Sequence, residues 1–105
     1  MATTVISADG RFEWDVEKDD INFKKHGFHF AEILEVFDDP YFMEKYDVLH
    51  SNGEERYIGS SCLCGIVIIV TTYTDRNGRI RIINARKGDK NDKEAYDDYV
   101  KKFIY

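Results

Sequence analysis

Cationic side chains gather around a hairpin that the sequence predicts in its second half. Arg79 and Arg81 alternate with isoleucines just after a tight-turn signal, and Arg86 and Lys87 follow a few residues later. Because a strand turns alternate residues to opposite faces, Arg79 and Arg81 would share one face of a sheet. Fixed cations beside a sheet face suit a phosphodiester better than a small apolar ligand. An alternative is a solvated strand face whose arginines pair with nearby carboxylates.

The charge of this region contrasts with that of the chain, whose formal net charge is -5. Residues 71–93 carry seven basic and three acidic side chains, a net charge of +4. Residues 30–60 carry two basic and eight acidic side chains, a net charge of -6. A protein that coats nucleic acid is usually basic throughout. The pattern therefore favours a local anion site, with acidic surfaces left for a basic partner.

Lys25 and His26 are the candidates for proton transfer. A histidine beside lysines has its neutral form favoured and could act as a base near neutral pH. Alternatively, the two residues only complement the dipole at a helix end before Gly27. We expect the other histidines, His29 and His50, to be surface or loop residues.

Two further residues could contact a nucleic acid. Arg56 would add a cation if its strand lies beside the hairpin. Tyr73 could stack on a base, although ordinary packing inside the sheet is the alternative. No phosphate loop, histidine pair on one helical turn or nucleophile elbow is present, so we expect no metal and no cofactor. Cys62 and Cys64 are expected to be reduced thiols in a hairpin.

The length of 105 residues predicts one domain. We expect residues 1–10 to be a loose leader and residues 11–105 to form the domain. The longest apolar run, residues 66–70, is far too short to span a membrane, and no signal peptide is expected. These features predict a cytoplasmic protein.

The elements that must position these side chains can be predicted in order. Asp15 would cap a first helix that ends near His26, and a second helix would begin near Phe30 and end before Pro40. A final helix would run from a cap at Asp92 to Phe103. Strands are expected over residues 11–14, 41–45, 56–61, 66–73 and 79–85. This order predicts an α+β domain with a short N-terminal strand, two helices, an antiparallel meander and a C-terminal helix, the helices packing on one face of the sheet.

Several segments within about residues 11–100 form an ordered set that can be compared with known families. They are Phe12-Glu-Trp-Asp15, Lys18, Asn22, Lys25-His26-Gly27, Phe30, Val36-Phe37-Asp38-Asp39-Pro40, Glu55-Arg56-Tyr57-Ile58-Gly59-Ser60, Tyr73-Thr-Asp-Arg76 and Ile80-Arg81-Ile82-Ile83-Asn84-Ala85-Arg86-Lys87. Taken in this order, they resemble the BrnT family of toxins.

The resemblance implies a RelE-like α+β fold and a toxin of a type II toxin–antitoxin pair. Such a toxin would cleave RNA without a metal ion and arrest translation. A cognate antitoxin would block it and bind operator DNA, so that the complex represses its own operon. A homodimer is left open. The alternative is a degenerate toxin that no longer cleaves RNA and acts only as a binding module for the antitoxin or its DNA complex.

Within that hypothesis the residues divide by role. Arg81 and Arg86 would hold the scissile phosphate, and Lys25 or His26 would transfer protons. The remaining candidates, which would position the substrate, are Arg56, Tyr73, Arg79 and Lys87.

Overall fold

A six-stranded sheet forms the centre of the computed structural model, which describes residues 3–104. The spatial order of the strands is β1-β2-β6-β5-β4-β3, and all neighbours are antiparallel except β2 and β6, which are parallel. The strands are β1 Thr4–Ile6, β2 Phe12–Asp15, β3 Met43–Tyr46, β4 Arg56–Leu63, β5 Val67–Arg76 and β6 Arg79–Lys87. The helices are α1 Val16–His26 and α2 Lys90–Ile104, with 3₁₀ helices at Phe30–Glu32 and Leu34–Asp38. The predicted α+β fold class is confirmed.

Helix α1 has the bounds that its capping residues predict. The side chain of Asp15 accepts a hydrogen bond from the N–H of Glu17 at 2.8 Å. At the other end, Gly27 adopts φ +80°, and its N–H donates to the carbonyl of Phe23 at 2.8 Å. Glycine takes this left-handed conformation at little cost, so the helix stops after His26.

The prediction of a loose leader is wrong for residues 4–6. They form β1, which pairs antiparallel with β2 and places Val5 opposite Trp14. This pairing adds a strand to the edge of the sheet beyond β2.

The predicted second helix consists of two consecutive 3₁₀ helices. Phe30, Ile33 and Val36, each 0% exposed, follow one another at intervals of three residues. A 3₁₀ helix has three residues per turn, so this spacing places all three side chains on one line facing the core. They pack against the face of the sheet that carries Ile69 and Ile82.

Helix α2 begins earlier than predicted, at Lys90, because Asp89 caps it. The Asp92 N–H donates to the Asp89 carboxylate at 2.9 Å, and the Asp89 N–H donates to the Asp92 carboxylate at 2.9 Å. The expectation that every helix packs on one sheet face is wrong. Ala95 of α2 lines a cavity with Val70, which points away from the face of Ile69.

Among the described residues, no helix combines the length and the apolar character needed to cross a bilayer.

Candidate functional site

A β-bulge in β6 sets the side-chain pattern of the candidate site. Arg81 pairs with Thr74 of β5, and Asn84 pairs with Thr72. One residue, Tyr73, therefore lies between the two pairs on β5, whereas two residues, Ile82 and Ile83, lie between them on β6, so that Ile83 is the extra residue. An extra residue reverses the alternation of side chains beyond it.

The bulge separates the two adjacent cations at the end of β6. Arg86 pairs with Val70 and so lies on the same face as Arg81. Lys87 pairs with Ile69 and lies on the opposite face, the one that carries the core. Lys87, which was predicted to position the substrate, therefore lies on a different face from Arg86, because neighbouring strand residues point to opposite faces.

The face of Arg86 carries an open cavity of about 260 Å³, which we call the arginine groove. Its walls come from β4, β5, β6 and the β3–β4 connection: Asp47, His50, Arg56, Ile58, Val70, Thr72, Ile83, Asn84 and Arg86. A second cavity of about 210 Å³ shares Ile58, Val70 and Arg86 with it and is bounded by Lys45, Asp92 and Ala95, among others. Arg86 thus lies where two adjoining cavities meet.

Arg86 is oriented by α2. Its Nη1 lies 2.8 Å from a carboxylate oxygen of Asp92, and the same nitrogen donates to the Lys87 carbonyl at 3.3 Å. The Arg86 side chain is still 37% exposed. Within residues 3–104 both hydrogen bonds use Nη1, which leaves Nε and Nη2 to bind an anion.

Arg56 lies on the same face as Arg86, where it pairs with Thr74 on β5. In the described part of the chain its guanidinium makes no ion pair. The arginine groove therefore contains two guanidinium groups, one partly neutralised and one not. The strand of Arg56 thus neighbours the hairpin, and the part of Arg56 in substrate binding stays a prediction.

Arg81 lies on the same face of the sheet as Arg86, but its guanidinium is already paired with a carboxylate. Its Nη1 is hydrogen-bonded to Glu13 of β2, and the two side chains are only 15% and 10% exposed. Arg79 also approaches Glu13, at 3.8 Å, and donates to the Gly10 carbonyl at 2.9 Å. The two arginines share a face, as predicted. Their contacts are those of the alternative, in which strand arginines pair with carboxylates.

His26 lies beside the arginine groove, at the end of α1. It lines a small cavity with Lys25, Ile83 and Asn84, the last two of which also line the arginine groove. Desolvation lowers the pKa of His26, and the charges of Lys25 and Arg86 lower it further. The neutral imidazole is therefore favoured near neutral pH, which is the form that a base requires.

Helix α1 is attached to β6 by one buried side chain. The Nδ2 of Asn22 donates to the carbonyls of Ala85 and Phe28, each at 2.9 Å, and the Ala85 N–H donates to Oδ1 at 3.0 Å. Strand β2 covers only the start of β6, so further along β6 the Asn22 amide takes the place of a neighbouring strand. This attachment fixes α1, and with it His26, relative to Asn84 and Arg86.

Tyr73 lies outside the arginine groove. It is 5% exposed on the core face, where its ring contacts Phe37, Phe42 and Tyr57. Its hydroxyl donates to Glu44, and burial together with that hydrogen bond raises the pKa of Tyr73 well above its usual range. The prediction that Tyr73 stacks on a base is wrong, because the alternation along β5 turns the ring into the protein.

Sequence reasoning missed three side chains of the site: Asn84, Lys45 and His50. The sequence contained a usable signal for Asn84: strict alternation of side chains from Ile80 would bury this polar residue, which indicates that the alternation is interrupted. Lys45 had no such signal, because its place on the groove face follows from the pairing of β3 with β4, in which it lies opposite Ile58. His50 had none, since it lies in a connection without periodicity.

The only described group of side chains whose ligand atoms could meet at one cation lies elsewhere, at Asp19, Asp20 and His29. Asp19 accepts hydrogen bonds from the Phe30 N–H at 2.7 Å and lies 3.1 Å from Nδ1 of His29. These contacts hold the turn after α1, which accounts for the cluster without an ion.

The fold and the site together define a small α+β protein with a cationic groove on one face of its sheet. The family model described as "Ribonuclease toxin, BrnT, of type II toxin-antitoxin system" matches residues 14–92. The chain belongs to this family, and the family prediction is confirmed.

A solved structure gives the same fold. The crystal structure of the Brucella abortus ribonuclease toxin BrnT is similar to this chain with a TM-score of 0.58. The match has 23% sequence identity and covers 73% of this chain and 94% of the Brucella chain. The comparison with curated proteins gives no match.

Proposed function

We propose that this chain is an endoribonuclease toxin that cleaves RNA and thereby arrests translation. The proposal depends on one observation: Arg56 and Arg86 extend from one sheet face into one groove, with His26 at its side. Guanidinium groups bind phosphate oxygens through paired hydrogen bonds, which suits them to an RNA backbone. The description of the family as ribonuclease toxins supports the same function.

The mechanism follows from the needs of the reaction. The 2′-hydroxyl must lose its proton, the pentavalent phosphorane must be stabilised, and the 5′ oxygen must gain a proton. Arg86 would bind the non-bridging oxygens, where charge develops, and Arg56 would position an adjacent phosphate. Neutral His26 would accept the 2′ proton, with Lys25 beside it. Arg81 is held by Glu13, so its role would be to support the sheet. None of these steps needs a metal ion, and we expect EDTA to leave the activity unchanged.

Cleavage of labelled RNA by the purified chain tests this proposal. Arg86→Ala should lower the rate at least tenfold, since losing one charged donor to a transition state costs on the order of 2–4 kcal/mol. Arg11→Ala is the matched control, because Arg11 also pairs with a carboxylate, Asp38 at 3.2 Å, but lies outside the groove. A 2′-deoxy nucleotide at the cleavage position should block the reaction. Full activity in a folded Arg86→Ala variant would contradict the proposal.

We further propose that the toxin has the partners typical of its type of system. A cognate antitoxin would neutralise it, and the net charge of -6 over residues 30–60 favours a basic antitoxin segment. Operator DNA would be bound only through the antitoxin, and the complex would repress its own operon. Its place of action would be the cytoplasm, where the RNA is translated. The oligomeric state of the toxin stays a prediction to be tested by light scattering.

One observation favours the alternative, a degenerate toxin that only binds its antitoxin. Each of the three arginines of β6 contacts a carboxylate, which reduces the positive charge offered to RNA. Induced expression in bacteria separates the two functions. Growth arrest that Arg86→Ala relieves supports the ribonuclease, whereas harmless expression supports the binding module.

A further inference from the structure

The connection between β3 and β4 presents a histidine to the arginine groove. The Nδ1 atom of His50 lies 2.9 Å and 3.1 Å from the two carboxylate oxygens of Asp47. The Asp47 side chain is 10% exposed, whereas the His50 side chain is 62% exposed. An imidazole whose Nδ1–H is held by a carboxylate has Nε2 left for another partner.

Hydrogen bonds to the main-chain N–H and carbonyl of Arg56 hold this pair next to that residue. The Asp47 N–H donates to the Arg56 carbonyl at 2.8 Å. The Ser51 hydroxyl donates to the Asp47 carbonyl at 2.6 Å and accepts from the Arg56 N–H at 3.0 Å. Both ends of the turn that carries His50 are thus attached to the first residue of β4. The orientation of His50 depends on the sheet as well as on its own connection.

His26 and His50 approach the groove floor from opposite sides, because α1 lies along β6 and the β3–β4 connection lies beyond β5, on the side of β4. Ile83 and Asn84 line the cavity of His26 and also that of His50. In a displacement at phosphorus the attacking and leaving oxygens are roughly in line, on opposite sides of the phosphorus atom. A phosphate bound by Arg86 above this floor would therefore have one histidine near each of the two oxygens.

We propose, on the basis of the function proposed above, that His50 protonates the departing 5′ oxygen. The 2′ oxygen forms its bond to phosphorus while its proton passes to His26. The bond from phosphorus to the 5′ oxygen breaks, and that oxygen takes the proton from Nε2 of His50. The products are a 2′,3′-cyclic phosphate and a 5′-hydroxyl, and proton exchange with water restores both imidazoles. Asp47 is a positioning residue, since it acts through His50.

A modified substrate tests the proton donor separately from the rest of the site. In an RNA whose 5′ bridging oxygen is replaced by sulfur, the leaving thiolate needs no proton. His50→Gln should slow cleavage of ordinary RNA roughly 100-fold but cleavage of the sulfur substrate less than about threefold. Asp47→Asn should show the same pattern with a smaller loss. His26→Gln should slow both substrates, because the 2′ proton must be removed in each case.

His29→Gln is the matched control, because the Nδ1 of His29 also lies near a carboxylate, that of Asp19 at 3.1 Å, but outside the groove. It should cleave both substrates at the wild-type rate. Equal slowing of both substrates by a folded His50→Gln variant, or no slowing of either, would overturn the role of His50 alone. A wild-type chain that cleaves neither substrate would overturn the proposed ribonuclease function, and the role of His50 with it.

Discussion

Replacement of Asn22 by alanine is expected to lower the free energy of unfolding by about 3 kcal/mol. Asn22 is 3% exposed and joins α1 to β6 where that strand has no strand neighbour on one side. Alanine keeps the helix but removes the side-chain amide that takes the place of a strand. The variant therefore isolates the attachment from the stability of the helix itself.

The magnitude follows from the three hydrogen bonds of the Asn22 amide. Each neutral hydrogen bond contributes about 1 kcal/mol net, which gives about 3 kcal/mol in all. The N–H and carbonyl of Ala85, a residue with 0% exposure, would also lose their partner. An unpaired buried group costs about 1–3 kcal/mol, so the true value should not be smaller unless water enters. For 105 residues this corresponds to a fall in Tm of roughly 12–15 °C.

Urea unfolding followed by circular dichroism measures the effect. Asn91→Ala provides the control, since Asn91 is an exposed helical asparagine, and its change should stay within about 0.5 kcal/mol of wild type. A loss below about 1 kcal/mol for Asn22→Ala would refute the view that this amide replaces a strand. RNA cleavage, measured well below the Tm of the variant, should also slow because His26 is no longer held beside Asn84.

Three further predictions concern packing, charge and pH. Gly59→Ala should lower the free energy of unfolding in urea by about 1–3 kcal/mol, because the added Cβ would lie 2.0 Å from the Phe42 ring. An unchanged free energy of unfolding would mean that the ring moves aside freely. Glu13→Ala should cost about 3 kcal/mol, because it leaves the Arg81 side chain, which is only 15% exposed, without its carboxylate. An unchanged stability would contradict the importance of this pair. Burial and the charges of Lys25 and Arg86 lower the pKa of His26 in the folded protein, so the unfolded chain binds this proton more readily. Stability should therefore fall as the pH drops below about 6.5, the usual pKa of histidine. Wild type should therefore lose more stability than His26→Gln over this range, and parallel losses would contradict the shift.

Local signals in the sequence were sufficient for much of the fold. Asp15 and Gly27 bracket α1 because a cap and a left-handed glycine act within a few residues of the helix. The β4–β5–β6 meander follows from β-branched runs and from a turn at Asn77-Gly78, which have φ values of +56° and +80°. The pairing of β1 with β2 could not be predicted in this way, because no local signal in β2 indicates that another strand lies beside it.

The site was less predictable because it depends on the bulge at Ile83. Strict alternation from Ile80 would place Asn84 and Arg86 on the core face and Lys87 on the groove face. The protein resolves this conflict by inserting one residue, so that Ala85 enters the core and the polar residues leave it. A polar residue at a position where the alternation of the strand predicts an apolar one is thus a usable sign of a bulge. The exact position of the bulge cannot be predicted in this way, because it depends on tertiary packing against α1.

Arg81 and Arg86 both pair with a carboxylate, but the two pairs differ in how deeply they are buried. This difference explains how a protein with a negative net charge could still bind a phosphate at Arg86. Arg81 and Glu13 are 15% and 10% exposed, so separating them would leave an uncompensated buried charge. Arg86 and Asp92 are 37% and 22% exposed, and separation there costs less. Asp92 also keeps the N–H of Asp89 at 2.9 Å and the favourable end of the α2 dipole. If the proposed RNA phosphate at Nε and Nη2 drew Arg86 away from Asp92, this carboxylate would therefore keep other partners, whereas Glu13 would lose its partner if Arg81 moved.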